Sequence, residues 1–380
     1  MRVLQFYRTY LPETHGGVEE AIRQICIGTQ RFGIEHRVLT LAPVKQQTVI
    51  QRPEAQVIQV PLQLEPASCS MGIATFSAYR EAARWADLIH VHYPWPFADL
   101  VHTLSRVHKP LVLTYHSDII RQNALEKLYA PLRGWFFRSV TRFVATSPDY
   151  AASSPILQGL GSRVSVIPLG LEPESYSNAS PEAQEQVRTA YGHGYFLFIG
   201  VLRYYKGLRY LIEAAALSGL PVVIAGHGPE AEALKQQAER AGAPNVKFAG
   251  FVSDDIKQAL MENARAVVFP SCERSEAFGV TLLEGQMHGL PLISCDIGTG
   301  TSYVNQNGLT GLVVPPRNAG ALAEAMVALA QDPERAQMMG RAGRERFEAH
   351  FSGRQVGERY SQLYRELYEH NTNTPPRTDR

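Results

Sequence analysis

The sequence predicts an α/β protein made of two doubly wound, Rossmann-like domains. Three observations carry that prediction. Short apolar runs alternate with helix-like stretches along nearly the whole chain, the pattern of a parallel sheet covered by helices on both faces. A chain of 380 residues is long for one such domain and natural for two. A polar, Ser/Pro-rich stretch at 172–182, EPESYSNASPE, interrupts the alternation and reads as an interdomain linker. The expected boundaries are 1–171, the linker, and 183–352, followed by a last helical segment at 353–370 and a polar, disordered tail at 371–380.

Composition narrows the function classes. Apolar residues make up 45% and charged residues 19%, a mixture able to bury a large core. A formal net charge of +1 gives no global attraction to nucleic acid, and no nucleic-acid partner is expected. Cys26, Cys69, Cys272 and Cys295 are far apart, without C-x-x-C or paired-His spacing. That argues against a disulfide framework and a zinc site and fits reduced thiols in the cytoplasm. Cys272 lies near the site proposed below but has no positioned His/Asn partners, and a buried free thiol is the simpler reading. Met1–Tyr7 reads as a strand, not a signal peptide. No apolar run approaches the ~20 residues that span a bilayer.

In the first half, Val3–Tyr7 opens the sheet, and a loop with the pair Gly16-Gly17 leads to a helix from Val18. Two glycines at a strand-to-helix turn let backbone approach a ligand closely. They do not form G-x-G-x-x-G, which weakens a nicotinamide-binding reading. Strands follow at Arg37–Leu41, Val57–Pro61, Leu88–His92, Leu111–Tyr115 and Phe143–Thr146, and Val164–Leu171 reads as a last strand running into a Pro/Gly turn. His90 and His92 are expected on opposite faces of their strand, out of joint reach of a metal. His116 falls at the carboxyl end of a strand, a position from which a side chain reaches a ligand crevice. Residues 119–142 carry Arg121, Lys127, Arg133, Arg138 and Arg142 against one acid, Glu126, with Trp135, Phe136 and Phe137 among them. This pattern suits either peripheral contact with an anionic membrane surface or a helix with its apolar face in the core.

The second half centres on residues 266–291, AVVFPSCERSEAFGVTLLEGQMHGLP. Ala266–Phe269 reads as a buried strand, Ser271–Phe278 as a polar loop, and Gly279–Met287 as a helix ended by Gly289-Leu290-Pro291. A loop running into a helix start offers free backbone N–H groups to an anion. Glu276 stands just before the helix. Glu284 lies about one and a half turns inside it, with seven residues between the two acids. On spacing alone they read equally as solvated acids. Around them, strands are expected at Tyr195–Gly200, Val222–Ala225, Val246–Ala249 and Leu292–Cys295. Arg203 and Lys206 follow the first of these, Gly226 and Gly228 the second, and Ser253-Asp254 the third. Ser253 or Asp254 is an expected helix cap. Beyond Asn318, two helices reach His350, and Gln355–Tyr368 carries an amphipathic stripe.

The stretch Ser275-Glu276-Ala277-Phe278-Gly279 with Leu283-Glu284-Gly285 resembles the E-x7-E signature of retaining GT-B glycosyltransferases of the GT4 type. Gly200, Leu202, Lys206 and Gly207 match that family's G-R-L-x-x-x-K-G, with Val201 where an Arg is usual. Gly226 and Gly228 resemble its G-x-G-P turn, and Gly298–Val304 resembles a loop of its bacterial polysaccharide enzymes. The resemblance covers about residues 1–368. It implies two Rossmann-like domains facing a cleft, with the terminal helix returning to the first domain.

The resemblance also implies site roles. Glu284 would hold the ribose hydroxyls and Glu276 would orient the sugar. Phe278, Gly279 and Val280 would supply N–H groups, and Lys206 with Arg203 would meet the departing diphosphate. Gly226 and Gly228 would underlie the nucleotide, Asp254 would lie by the base, Gly16 and Gly17 would lie against the phosphates, and His116 would meet the region of the sugar's 6-hydroxyl. No metal and no cofactor are implied; the nucleotide sugar is a substrate. The wording around Lys206 and Gly298–Ser302 leans to GDP-mannose or GDP-D-rhamnose. The implied acceptor is a lipid-linked saccharide of O-antigen or a similar polysaccharide. A UDP-sugar donor, a GT-B epimerase or phosphorylase, and a non-catalytic nucleotide-binding protein remain the alternatives.

Overall fold

The computed structural model of the chain describes residues 1–118 and 123–373. It divides into two compact units. The first comprises Met1–Thr146, Ser154–Gly170 and the segment from Gly353 onward; the second comprises Ser147–Ser153 and Leu171–Ser352.

The first unit holds β1 (Arg2–Phe6), β2 (Glu35–Ala42), β3 (Thr48–Gln51), β4 (Gln56–Pro61), β5 (Leu88–Tyr93), β6 (Leu111–Tyr115), β7 (Arg142–Ala145) and β8 (Val164–Val166). Their order is β3-β4-β2-β1-β5-β6-β7-β8, and every pairing is parallel except β3 with β4. The second unit holds β9 (Tyr195–Ile199), β10 (Val222–Ala225), β11 (Val246–Gly250), β12 (Ala264–Phe269), β13 (Leu292–Cys295) and β14 (Gly311–Val314), all parallel, in the order β11-β10-β9-β12-β13-β14. Helices cover the sheets, and the central strands are buried along almost their whole length. That is why these strands read as continuous apolar runs.

Two strands have no counterpart in the sequence expectations. β3 is a four-residue antiparallel edge strand whose residues are alternately half-buried and exposed, and β14 is a four-residue edge strand. Short edge strands carry too few apolar residues to show a period.

The 172–182 stretch groups with the second unit. Its polar letters are helix-start chemistry. Ser180 precedes Pro181 and accepts the Ala183 N–H at 3.1 Å, capping the helix Pro181–Tyr191, while its hydroxyl donates to Asp255 at 2.7 Å. Ser at the cap and Pro in the first turn start a helix as readily as they mark a linker.

The last helix, Gly353–Asn373, packs in the first unit beside the helix Gly17–Gln30. Val356, Tyr360, Leu363, Tyr364 and Leu367 recur at helical spacing and are all buried, in one cluster with Val3, Ile25, Leu88 and Val112. The two helices touch backbone to backbone. A Cβ on Gly357 would lie 2.2 Å from the Gly28 carbonyl oxygen, and one on Gly28 would lie 2.6 Å from the Gly353 carbonyl oxygen. Residues 374–380 of the expected tail lie outside the described residues, whereas 371–373 are helical.

The basic, aromatic stretch divides. Arg121 lies outside the described residues. Within the helix Asn123–Ser139, Phe136 and Phe137 are buried in the core, while Trp135 is 57% exposed and Arg138 is exposed. Arg142 belongs to β7 and donates to the Ser162 carbonyl at 3.0 Å. Among the described residues no helix is long and apolar enough to cross a membrane.

The glycine contact sets a testable limit. Gly357→Ala forces the two helices apart and should destabilise the first unit by about 1–3 kcal/mol, the usual cost of overpacking. Calorimetry should show this as an earlier transition for that unit.

Candidate active site

The second sheet reverses its order between β9 and β12. Loops leaving the carboxyl ends of two such strands turn to opposite sides and leave a crevice, where open α/β sheets bind ligands. The loop after β9 carries Lys206, and the loop after β12 carries Glu276.

A steric feature brings the two loops together. Gly207 has a φ of +67°, and a Cβ on it would lie 2.0 Å from the Pro270 carbonyl oxygen. Only glycine allows that approach. The Cys272 N–H donates to the Tyr205 carbonyl at 2.8 Å and ties the same loops. Lys206 Nζ then donates to Glu276 Oε2, and Ser271 Oγ donates to the same oxygen at 3.2 Å. The ammonium also lies 4.6 Å from the Phe269 ring centroid. Both side chains of the pair are largely buried, 13% and 12% exposed. Cys272 itself is buried.

The second carboxylate is placed by the helix Val280–Met287. It starts at Gly279, whose φ is +90° and whose Cβ would meet the Phe269 ring at 2.9 Å. Phe278 is buried and packs edge-on against Phe351. Thr281 Oγ1 donates to the Ile199 carbonyl at 3.2 Å and pins the first turn to the end of β9. Val280 is half-buried at that turn, whose leading N–H groups have no acceptor within a helix. One turn on, Glu284 is buried and accepts from Lys257 Nζ at 3.0 Å. Lys257 also lies 3.5 Å from Asp254 and 5.3 Å from the Tyr176 ring centroid. A carboxylate this buried needs a charged partner, and Lys257 is that partner.

The remaining expected residues of this unit fall around the pair. Gly226 and Gly228 serve loop packing: their Cβ atoms would lie 1.9 Å from the Gly200 carbonyl oxygen and 2.5 Å from the Leu202 carbonyl oxygen. They press the loop after β10 onto the loop that carries Lys206. Arg203 is exposed just before the turn Tyr204–Lys206. Asp254 is exposed and does not cap its helix; Ser253 does, accepting from the Ile256 N–H at 3.3 Å.

His116, Gly16 and Gly17 belong to the first unit, apart from this set. Gly16 has an extended backbone, so space and not φ calls for glycine: a Cβ would lie 2.5 Å from a Glu19 carboxylate oxygen. Glu19 is held there by the Thr9 hydroxyl at 2.7 Å, and Gly17 begins the helix. His116 follows β6, is buried, and donates its backbone N–H to the Tyr93 carbonyl at 3.0 Å. Burial pushes its imidazole down to about 3, which keeps it neutral.

The expectation for His90 and His92 is corrected. Their ring centroids are 4.4 Å apart, on one face of β5. Residues two apart on a strand share a face, and Val91 takes the other. His92 Nδ1 lies 2.9 Å from His116 Nε2, and His90 bonds the Tyr364 hydroxyl and Thr114 at 2.7 Å each.

Sequence reasoning missed Lys257, Ser271, Gln5 and His92 as partners of the site residues. Ser271 stands inside the loop already singled out. Lys257 is 27 residues from Glu284, and no local pattern links them.

Comparison with known proteins follows the same division. Residues 15–175 match the model of the family described as Glycosyltransferase Family 4, and residues 180–346 match Glycosyl transferases group 1. The chain is 46% identical over 352 residues to the D-rhamnosyltransferase WbpZ of Pseudomonas aeruginosa, covering 93% of this chain and 92% of that one. It is 42% identical to the O-antigen chain mannosyltransferase C of Escherichia coli, covering 97% and 99%. Among solved structures, a sucrose-phosphate synthase from Thermosynechococcus elongatus superposes with a TM-score of 0.80 at 21% identity, over 97% of this chain and 99% of that one. The chain belongs to the group 1, family 4 glycosyltransferases and has their GT-B fold.

Proposed function

We propose that the protein transfers mannose or D-rhamnose, with retention, from a GDP-sugar to a lipid-linked saccharide during assembly of surface polysaccharide of the O-antigen kind. The observation that carries this reading is the Lys206–Glu276 pair at the strand-order reversal, with Glu284 buried in the adjoining helix. The relatives that act on D-rhamnose and on an O-antigen mannose chain support the sugar and the pathway.

In this reading the diphosphate docks against Lys206 and the start of the helix Val280–Met287, with Arg203 adding charge at the rim. The N–H groups of Phe278, Gly279 and Val280 face the donor. Glu284 accepts from the ribose hydroxyls, Glu276 from hydroxyls of the sugar, and Asp254 from the base. Gly226 and Gly228 shape the floor under the nucleotide. In the first unit, Gly16 and Gly17 keep the turn after β1 open to phosphate, and His116 meets the C6 end of the sugar, the 6-hydroxyl region in mannose and a methyl group in D-rhamnose. As the sugar–phosphate bond breaks, negative charge grows on the leaving oxygen, and Lys206 and the helix dipole stabilise it. That oxygen takes the acceptor's proton, and the acceptor oxygen attacks the same face. Trp135 and Arg138, both exposed, would place the enzyme against an anionic membrane surface, where a lipid-linked acceptor resides.

A transfer assay tests the activity directly. The enzyme, lipid-linked oligosaccharide and a panel of GDP- and UDP-sugars should give acceptor-dependent GDP release and a product with the donor's anomeric configuration. Acceptor-independent release of UDP, or binding of GDP with no turnover, would overturn it. Lys206→Ala should lower kcat by roughly a hundredfold or more. Glu284→Gln should instead weaken GDP binding by about tenfold or more in calorimetry, the size of a lost charged hydrogen bond. The wild type should float with anionic liposomes and the Trp135→Ala/Arg138→Glu variant should not; equal flotation of both counts against the membrane contact.

A further inference from the structure

The interior of the first unit contains a chain of hydrogen bonds whose protons can be assigned from one fixed end. Thr29 Oγ1 lies 2.6 Å from the Ile25 carbonyl oxygen. A carbonyl only accepts, so the single Thr29 proton is committed there. His36 Nε2, 2.6 Å from Thr29 Oγ1, must then carry a proton and donate it. A neutral His36 has a bare Nδ1, and the nearby atom at 3.3 Å is Gln5 Nε2, a donor. This fixes the Gln5 amide with its oxygen toward His92 Nε2, 2.8 Å away. His92 therefore donates from Nε2 and is bare at Nδ1. His116 Nε2, at 2.9 Å, donates to it. The outcome at the far end is a His116 with its proton on Nε2 and a bare Nδ1, which has no hydrogen-bond partner among the described residues.

The chain tolerates no extra proton. His36, Gln5, His92 and His116 are all buried, and burial pushes the His36 and His116 imidazoles down to about 3 and His92 well below its ordinary value. An imidazolium at His92 would set two donors, its own Nδ1–H and the His116 Nε2–H, against each other. The groups facing the chain from other positions are the His90 ring, 4.4 Å from that of His92, the hydroxyls of Tyr364, Thr114 and Tyr360, and the N-terminal ammonium, whose positive charge further disfavours an imidazolium at His36.

We infer that Thr29, His36, Gln5 and His92 form a positioning relay that locks His116 as the Nε2–H tautomer, presenting Nδ1 as an acceptor for a hydroxyl of the sugar substrate. The inference rests on the reading that His116 faces the C6 end of the sugar, and the hydroxyl it accepts from is that of a mannose donor, with which the rates below are measured. It makes Gln5 and His92 positioning residues of the transfer reaction, acting only through the His116 ring. It also sets the sign of the contact: His116 can receive a hydrogen bond from the sugar and cannot give one.

Nitrogen-15 NMR of the histidine-labelled protein reads the tautomer directly. In the wild type, His116, identified by its loss in His116→Asn, should show a protonated Nε2 and a bare Nδ1, unchanged from pH 8 to pH 5.5. An Nδ1–H tautomer or a titrating ring would overturn the relay while leaving the proposed activity intact. His92→Phe removes the acceptor, and the His116 signals should shift toward a tautomer mixture, with kcat/KM down about tenfold, the size of one lost hydrogen bond. His92→Asn keeps an oxygen near the Nδ1 position and should recover the tautomer and most of the rate. If the wild-type tautomer is as assigned and His92→Phe scrambles it without changing transfer, the placement of His116 against the sugar is what fails.

Discussion

One missing side chain determines the geometry of the second unit's candidate site. The loops after β9 and β12 leave adjacent strands at the point where the sheet order reverses, and they would ordinarily diverge. Gly207 lets the first sit directly on the Pro270 carbonyl of the second. The contact between Lys206 and Glu276, the packing of Phe269 under the ammonium, and the entry into the helix Val280–Met287 all follow from that approach. Gly226 and Gly228 repeat the device one strand further out. The crevice is thus built from backbone contacts, and the charged side chains occupy positions that the backbone has already fixed.

Each acid of the signature comes with its own cation. Glu276 is paired with Lys206, and Glu284 with Lys257. Largely buried carboxylates without partners would carry a heavy desolvation cost. In the proposed reaction the diphosphate competes with Glu276 for Lys206, which frees the carboxylate to accept from the sugar. Donor binding is then an exchange of partners at Lys206, and the helix start and Arg203 meet the negative charge that the diphosphate adds.

Much of this was legible in the sequence, for identifiable reasons. Central parallel strands are covered on both faces, so β1, β5, β6, β9 and β12 announce themselves as apolar runs. The helix carrying Glu284 shows its glycine start and its Gly-Leu-Pro end. What failed was either too short or too distant. β3 and β14 have four residues each at sheet edges. Ser180-Pro181 has the same composition in a linker and in a helix start. The Lys257–Glu284 pairing is tertiary, and the His92–His116 contact joins neighbouring strands whose register no single segment encodes. The strand period did contain the shared face of His90 and His92; the opposite-face expectation overlooks that Val91 takes the alternate position.

The last helix gives the fold an unusual order in time. Tyr360 and Tyr364 complete a core begun by Val3 and Ile25, yet the whole second unit is encoded between them. A ribosome therefore delivers the closing piece of the first unit only after the second has emerged. Until then the nascent first unit carries an open apolar trench beside the helix Gly17–Gln30, a natural station for a chaperone during synthesis.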